Sequence, residues 1–310
     1  MIARCSRCDG SPCRMALNKG YLIMRIVLTG GKGMLGRTIK ATLTDSEVIQ
    51  TDLPEADITN SEAFDALLKT LRPEVVIHCA AMTAVDRCES EQELAYRLNA
   101  YGSANVAAAC HRNGIRLIAI STDYVFEGDA TRPYNEFDVP SGGQTVYGKS
   151  KYAGEEAIRR HCPNHVITRV SWLYGLGGPS FVHAMVGLAD GSRPVLKVVD
   201  DQIGNPTSAF AVANALREIV NRPTLVGTFH LTCEGEASWY TFAKAIFEEM
   251  GISQEVQPCT TEAFPRPAPR PKNSRLDKLM LRLSGLTPMP HWRDALREFI
   301  AIEFKERIEK

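Results

Sequence analysis

No charge of either sign is left over in this 310-residue sequence, in which 36 lysines and arginines stand against 36 aspartates and glutamates. Without a basic excess there is no electrostatic footprint for nucleic acid, and without a polybasic run there is none for an anionic membrane surface. No apolar run approaches the roughly 18–20 residues that span a bilayer. The nine cysteines are odd in number and mostly scattered through apolar segments, a usage that suits a reducing cytoplasm better than a disulfide framework. Cys5, Cys8 and Cys13 cluster near the start, but no histidine or second cysteine pair follows closely, so no metal site is expected. Residues 1–23 show neither the apolar core nor the cleavage site of a secretory signal. They are expected to be a disordered extension, or to precede a start at Met24. Internal repeats and low-complexity linkers are also lacking. What remains is an ordinary globular composition, 44% hydrophobic and 23% charged, and a small molecule as the expected partner.

Against these absences stands one dense pattern. Met24–Thr29 reads as a buried strand and runs into Gly30-Gly31-Lys32-Gly33-Met34-Leu35-Gly36, after which a helical pattern continues to Leu43. Glycines at 30, 33 and 36 permit a tight turn, a close backbone approach to a pyrophosphate, and packing of the helix on its strand, with the positive helix end facing the phosphates. A second strand ends at Asp52, 22 residues after Gly30, where an acceptor for the adenosine ribose is expected; an acid there favours NADH over NADPH. A helix over 61–71, capped by Asn60 or Ser61, and a strand over 73–81 follow. A long helical pattern covers about 91–113, and a strand over 115–122 brings Thr122 and Asp123 to its carboxyl end, where open parallel sheets bind ligands. This alternation implies βαβ units. His78 lies inside an apolar strand and is expected to be a satisfied core histidine. Tyr147 and Lys151 stand four apart where the loop Pro140-Ser141-Gly142-Gly143 gives way to a helix. On one helix face the ammonium can lower the phenol from a pKa of about 10 towards working pH, which makes the tyrosine a proton donor and acceptor for a carbonyl or alcohol.

Later stretches are as specific. Ser121-Thr122-Asp123-Tyr124-Val125-Phe126, Arg169-Val170-Ser171-Trp172-Leu173-Tyr174, Asp201-Gln202-Ile203-Gly204-Asn205-Pro206-Thr207 and Arg270-Pro271-Lys272-Asn273-Ser274 join Ala80-Ala81-Met82-Thr83-Ala84-Val85-Asp86 and Glu89. With them the chain resembles an extended short-chain dehydrogenase/reductase and, more narrowly, the dTDP-4-dehydrorhamnose reductase family, from Met24 to about Ile300. The resemblance implies that Tyr147 donates a proton to the C4 keto group of a dTDP-linked 4-keto-6-deoxy sugar. Lys151 would lower its pKa and hold the nicotinamide ribose, and Thr122 would bond the same carbonyl. It implies NADPH or NADH as hydride source. The pyrophosphate would lie on the backbone of Gly33, Met34 and Leu35, the ribose on Asp52 and the adenine on Asp57 and Ile58, with Ala80 and Ala81 lining that path. Asn99 would support a water relay to the lysine. Thr83, Val85, Asp123, Tyr124 and Trp172 would meet the substrate, while Asp201 and Gln202 are open between ligand contact and turn structure. Met82 stands where the family often has histidine, and Gly31-Lys32 departs from many relatives, so cofactor preference and substrate detail stay open. A homodimer is compatible with the family, and the sequence leaves the oligomeric state undecided.

Three other functions share these features. A dehydratase of this fold needs an acid pair after the threonine, and Tyr124 stands where the glutamate is required. A C4 epimerase would recycle a retained cofactor. A non-enzymatic regulator resembling the β subunit of methionine adenosyltransferase could keep Thr122, Tyr147 and Lys151 unused. The expected architecture is α/β: a Rossmann-like doubly wound parallel sheet from 24–170 and 195–230, a smaller discontinuous substrate domain from 171–194 and 231–290, and a terminal helix in 291–310.

Overall fold

The computed structural model describes residues 17–18 and 21–308. Leu17–Asn18 (β1) and Tyr21–Leu22 (β2) pair antiparallel. Cys5, Cys8 and Cys13 lie outside the described residues.

The first half then runs β3 (Arg25–Thr29), α1 (Met34–Thr42), β4 (Glu47–Thr51), α2 (Ser61–Leu71) and β5 (Val75–His78). A broken helical run follows: α3 (Val85–Ser90), α4 (Gln92–Tyr96), a π-helical turn over Arg97–Gly102 and α5 (Ser103–Arg112). It leads into β6 (Arg116–Thr122), α6 (Val146–His161) and β7 (His165–Val170). Local chemistry sets several of these limits. The Asn60 side chain accepts from Ala63 N at 3.0 Å and caps α2, which stops where Arg72 turns left-handed. Thr145 caps α6 in the same way through Gly148 N. Apolar, β-branched strands without alternation in β3, β5 and β7 signal burial on both faces, as parallel sheets require.

The second half comprises β8 (Leu173–Tyr174), α7 (Phe181–Leu188), β9 (Val195–Val199), β10 (Ile203–Gly204), β11 (Thr207–Ser208), α8 (Ala209–Val220) and β12 (Gly227–His230). After these come β13 (Ala237–Ser238), α9 (Trp239–Met250), β14 (Glu255–Cys259), β15 (Asn273–Ser274), α10 (Leu279–Leu283), α11 (Trp292–Glu303) and α12 (Lys305–Ile308). Residues 264–272, rich in proline, form neither helix nor strand.

Six parallel strands make the main sheet in the order β12-β7-β6-β5-β3-β4. The chain order reverses between β3 and β5, and a crevice opens at that switch point. Side chains alternate between two cores. Ile26 and Leu28 of β3 and Ile77 of β5 join α1 and α8 on one face, whereas Val27 and Val76 join α2 and α5 on the other. This is the Rossmann-like, doubly wound α/β arrangement.

The domain boundaries differ from those expected. Of residues 195–230, only α8, packed on α1, and β12, paired with β7, lie with the main sheet. Val195–Val199 instead pairs in parallel with Glu255–Cys259, and β10 lies between β13 and β15. The smaller unit therefore takes 195–208 as well. Among the described residues no helix is long and apolar enough to cross a membrane.

Candidate active site

A cleft of about 600 Å³ opens at the carboxyl ends of β3, β5, β6 and β7 and is closed on its far side by Trp172, Leu173 and Pro179. Its floor is the glycine turn. Gly30 has φ +66, and a Cβ on it would lie 2.7 Å from Ala80 N, so only glycine lets β3 and β5 turn away this close together. The N-terminus of α1 at Gly33 carries no side-chain cap. Its free amides, with the helix dipole behind them, fit a phosphate-bearing ligand. Asp52 sits beside this turn and accepts from Lys32 N at 3.1 Å and Leu53 N at 3.0 Å. Asp57 bonds the backbone and hydroxyl of Thr59, both at 2.8 Å, and Ile58 is buried next to it.

Tyr147, Lys151 and Thr122 converge at the other end. The start of α6 docks directly on the backbone after β6: a Cβ on Gly148 would lie 2.1 Å from Tyr124 O. The Glu89 carboxylate accepts from Val146 N at 2.9 Å and so holds the same helix end. The Tyr147 ring meets that of Tyr124 edge-on, with centroids 5.4 Å apart. Burial raises the Tyr147 phenol well above its ordinary pKa, and a hydrogen bond with Thr122 only partly offsets this. The lowering expected from Lys151 is therefore not among the influences on this phenol. The ammonium donates to Ile120 O at 2.8 Å, and burial pulls it down to about 8. Thr122 Oγ1 donates to Asp123 Oδ1 at 3.1 Å and accepts from Tyr124 N at 3.3 Å. Asp123 Oδ2 has no hydrogen-bond partner among the described residues.

Behind the site lies a buried ion pair. Glu155 of α6 meets Arg169 of β7 at 2.9 and 2.7 Å and accepts from Ser121 of β6 at 2.6 Å. Burial disfavours the carboxylate, but bonds and charge from Arg169, with Arg159 and Ser121, bring it down to about 2. His78 is held by Thr29 at 2.7 Å and Ser103 at 3.1 Å, and burial lowers it to about 3. It is a neutral core histidine.

Of the residues singled out in the sequence, Gly30, Gly33, Met34, Leu35, Gly36, Asp52, Asp57, Ile58, Ala80 and Ala81 line one end of this cleft. Thr83, Val85, Thr122, Asp123, Tyr124, Tyr147, Lys151 and Trp172 line the other. Asn99 does not reach it. The side chain bonds both backbone groups of Met82 and Ser150 Oγ, and the backbone carbonyl accepts from Ser103 Oγ at 2.7 Å. Asp201 and Gln202 also stay out of the cleft and bond Thr261. Sequence reasoning missed Ser171, Leu173, Pro179 and Cys79 as lining residues. The end of β7 was the signal for Ser171, since ligand sites lie past strand carboxyl ends. Burial pushes the Cys79 thiol up to about 12, so it is no nucleophile.

The profile of the RmlD substrate binding domain matches residues 24–304. The chain is 42% identical over 283 residues to a dTDP-4-dehydrorhamnose reductase of Streptomyces griseus, covering 88% of this chain and 92% of that one. The crystal structure of a dTDP-4-dehydrorhamnose reductase from Clostridium acetobutylicum is similar with TM-score 0.87 and 45% identity, covering 90% of this chain and 99% of that one. One from Bacillus anthracis, in complex with NADP, is similar with TM-score 0.87 and 39% identity over the same shares.

Proposed function

The chain belongs to the dTDP-4-dehydrorhamnose reductase family, and we propose that it reduces the C4 keto group of dTDP-4-dehydro-L-rhamnose to the alcohol of dTDP-L-rhamnose, using NADPH or NADH. The observation that carries this reading is the meeting of Tyr147, Thr122 and Lys151 in one cleft with the glycine turn. The turn and the uncapped start of α1 would hold the pyrophosphate, and Asp52 the adenosine ribose. When bound, a reduced nicotinamide supplies the hydride that adds to the carbonyl carbon. The chain's own groups do the rest. Thr122 and Tyr147 bond the carbonyl oxygen and polarise it. As negative charge develops there, the Tyr147 hydroxyl gives up its proton, and the resulting phenolate is stabilised by the Lys151 ammonium, which leaves Ile120 O to reach it or the ribose.

A buried tyrosine that stays protonated is the donor form that reduction requires. Tyr124 after Asp123 supplies no carboxylate for a dehydratase, and no observation favours the epimerase or the regulatory subunit. We place the reaction in the cytoplasm, on the strength of the six free cysteines among the described residues.

Loss of NAD(P)H absorbance with dTDP-4-dehydro-L-rhamnose, each cofactor in parallel, tests the proposal. Tyr147→Phe is expected to lower kcat by about a hundredfold or more while cofactor affinity stays near wild type. Normal turnover in that variant would remove Tyr147 as the acid, and no oxidation by the wild-type chain with either cofactor would overturn the reductase reading.

A further inference from the structure

Trp172 lines the cleft, yet its backbone has φ +46, a conformation that bulky residues rarely adopt. Such a conformation persists only where the surroundings fix it. Two neighbours do so, and neither lines the cleft. Trp239 stacks on Trp172 with ring centroids 3.5 Å apart and planes within 9° of parallel. Gly204 leaves the space that the indole fills, for a Cβ there would lie 2.5 Å from Trp172 Cε2. Trp239 is fixed in turn. Its Nε1 donates to Gln202 Oε1 at 3.0 Å, and Gln202 Nε2 donates to Thr261 Oγ1 at 3.0 Å. Thr261 Oγ1 donates to Asp201 Oδ1 at 2.7 Å. The Asp201-Gln202-Ile203-Gly204 stretch thus acts one layer back from the ligand.

We propose that Trp239 is a positioning residue and Gly204 a specificity-determining one for the sugar end of the cleft: together they hold the Trp172 indole as a flat apolar wall against the aliphatic face of a deoxy sugar. This rests on the reductase reading above. An indole plane suits such a face, whose C–H groups meet the electron-rich ring while its hydroxyls point away. A sugar with a bulkier or more polar face would have to displace an indole that the stack, the glycine and the Gln202 bond hold from behind.

The test uses the full chain at saturating NADPH, with dTDP-4-dehydro-L-rhamnose varied. Trp239→Ala is expected to raise KM for the sugar nucleotide about tenfold, while kcat falls less than about threefold and NADPH affinity stays within about twofold. Trp239→Phe, which keeps a stacked ring, is expected to recover most of that loss. Gly204→Ala is expected to raise KM although both indoles are present. Circular dichroism supplies a readout independent of turnover: two stacked indoles give an exciton couplet, expected in the wild-type chain and lost in Gly204→Ala. Unchanged KM in Trp239→Ala and Gly204→Ala, in proteins that melt like wild type, overturns the proposal, as does an equal loss of NADPH affinity. If the wild-type chain does not turn over this sugar, the reductase reading fails and the couplet decides: retention in Gly204→Ala overturns the positioning of Trp172, and loss supports it.

Discussion

Asp123 is the least satisfied charge-bearing group at the reacting end of the cleft. One oxygen accepts from Thr122, and the other has no partner among the described residues. Burial raises the carboxyl from 3.8 to about 6, and the Thr122 bond and the nearby Ser274 hydroxyl offset this only in part. The fold therefore favours the protonated acid. Between the two values the folded chain binds more protons than the unfolded one, so stability falls as pH rises through this window, and the penalty is complete above it. An amide cannot ionise. Asp123→Asn is expected to exceed wild type in unfolding free energy by on the order of 2 kcal/mol near pH 7.5, with most of the difference gone near pH 4. Urea titrations at the two pH values check this, and an equal difference at both would remove ionisation as its cause. The residues most legible from sequence were those whose requirement is local. Gly30, Gly33 and Gly36 answer one turn, and Tyr147 and Lys151 answer one helical spacing. Where the Lys151 ammonium points was not legible, because its acceptor, Ile120 O, comes from a neighbouring strand. Nor could spacing show that Asn99 is fully engaged by Met82 and Ser150.

Helix α6 carries Tyr147, Lys151 and Glu155 at successive i, i+4 positions along one face, so the pair behind the site ties this helix to the strands that end in Thr122 and Val170. Arg169 and Glu155 are both almost fully buried. Such a pair adds little net stability compared with apolar packing, but removing one partner leaves an uncompensated buried charge. Glu155→Gln is expected to cost about 3–5 kcal/mol at neutral pH. The sign with pH is opposite to that of Asp123. The folded carboxyl lies near 2 rather than at 4.5, so its contribution is full above the unfolded value and is lost as pH falls through the folded one. The gap between wild type and Glu155→Gln is therefore expected to narrow below about pH 4.5, as denaturation midpoints along a pH series would reveal. A gap constant down to acid pH would mean that the damage is steric. Helix α2 was readable to its ends because cap and apolar period agree. The helix expected over about 91–113 runs without interruption from Gln92 to Arg112, but with a π-helical turn at Arg97–Gly102 inside it, since periodicity cannot register one extra residue in a turn.

The cleft draws one wall from the six-stranded sheet and another from the residues that follow β7, so a ligand filling it touches both halves. Those halves were only partly visible in the sequence. Alternating strands and helices announced the parallel sheet, but Val195–Val199 finds its partner at Glu255–Cys259, some 60 residues on, and pairing over such a separation leaves no local mark. The same distance hid Trp239 behind Trp172. A molecule built this way should report cofactor binding in its global stability. A ligand bound only by the folded chain stabilises it by about 2.7 kcal/mol at a hundred times its Kd, and NADPH at that excess is expected to raise the melting midpoint. Gly36 makes the test specific. A Cβ there would lie 2.5 Å from Gly30 O and 2.7 Å from Gly31 O, so alanine must push α1 away from the turn that is to hold the pyrophosphate. Gly36→Ala is expected to lose about tenfold or more in NADPH affinity, and with it about half or more of the thermal shift at the same concentration. Isothermal titration and melting curves measure the two quantities independently. If Gly36→Ala keeps the full shift, the pyrophosphate does not lie on this turn; if it loses the shift but keeps the Trp172–Trp239 couplet, the damage is confined to the cofactor end of the cleft.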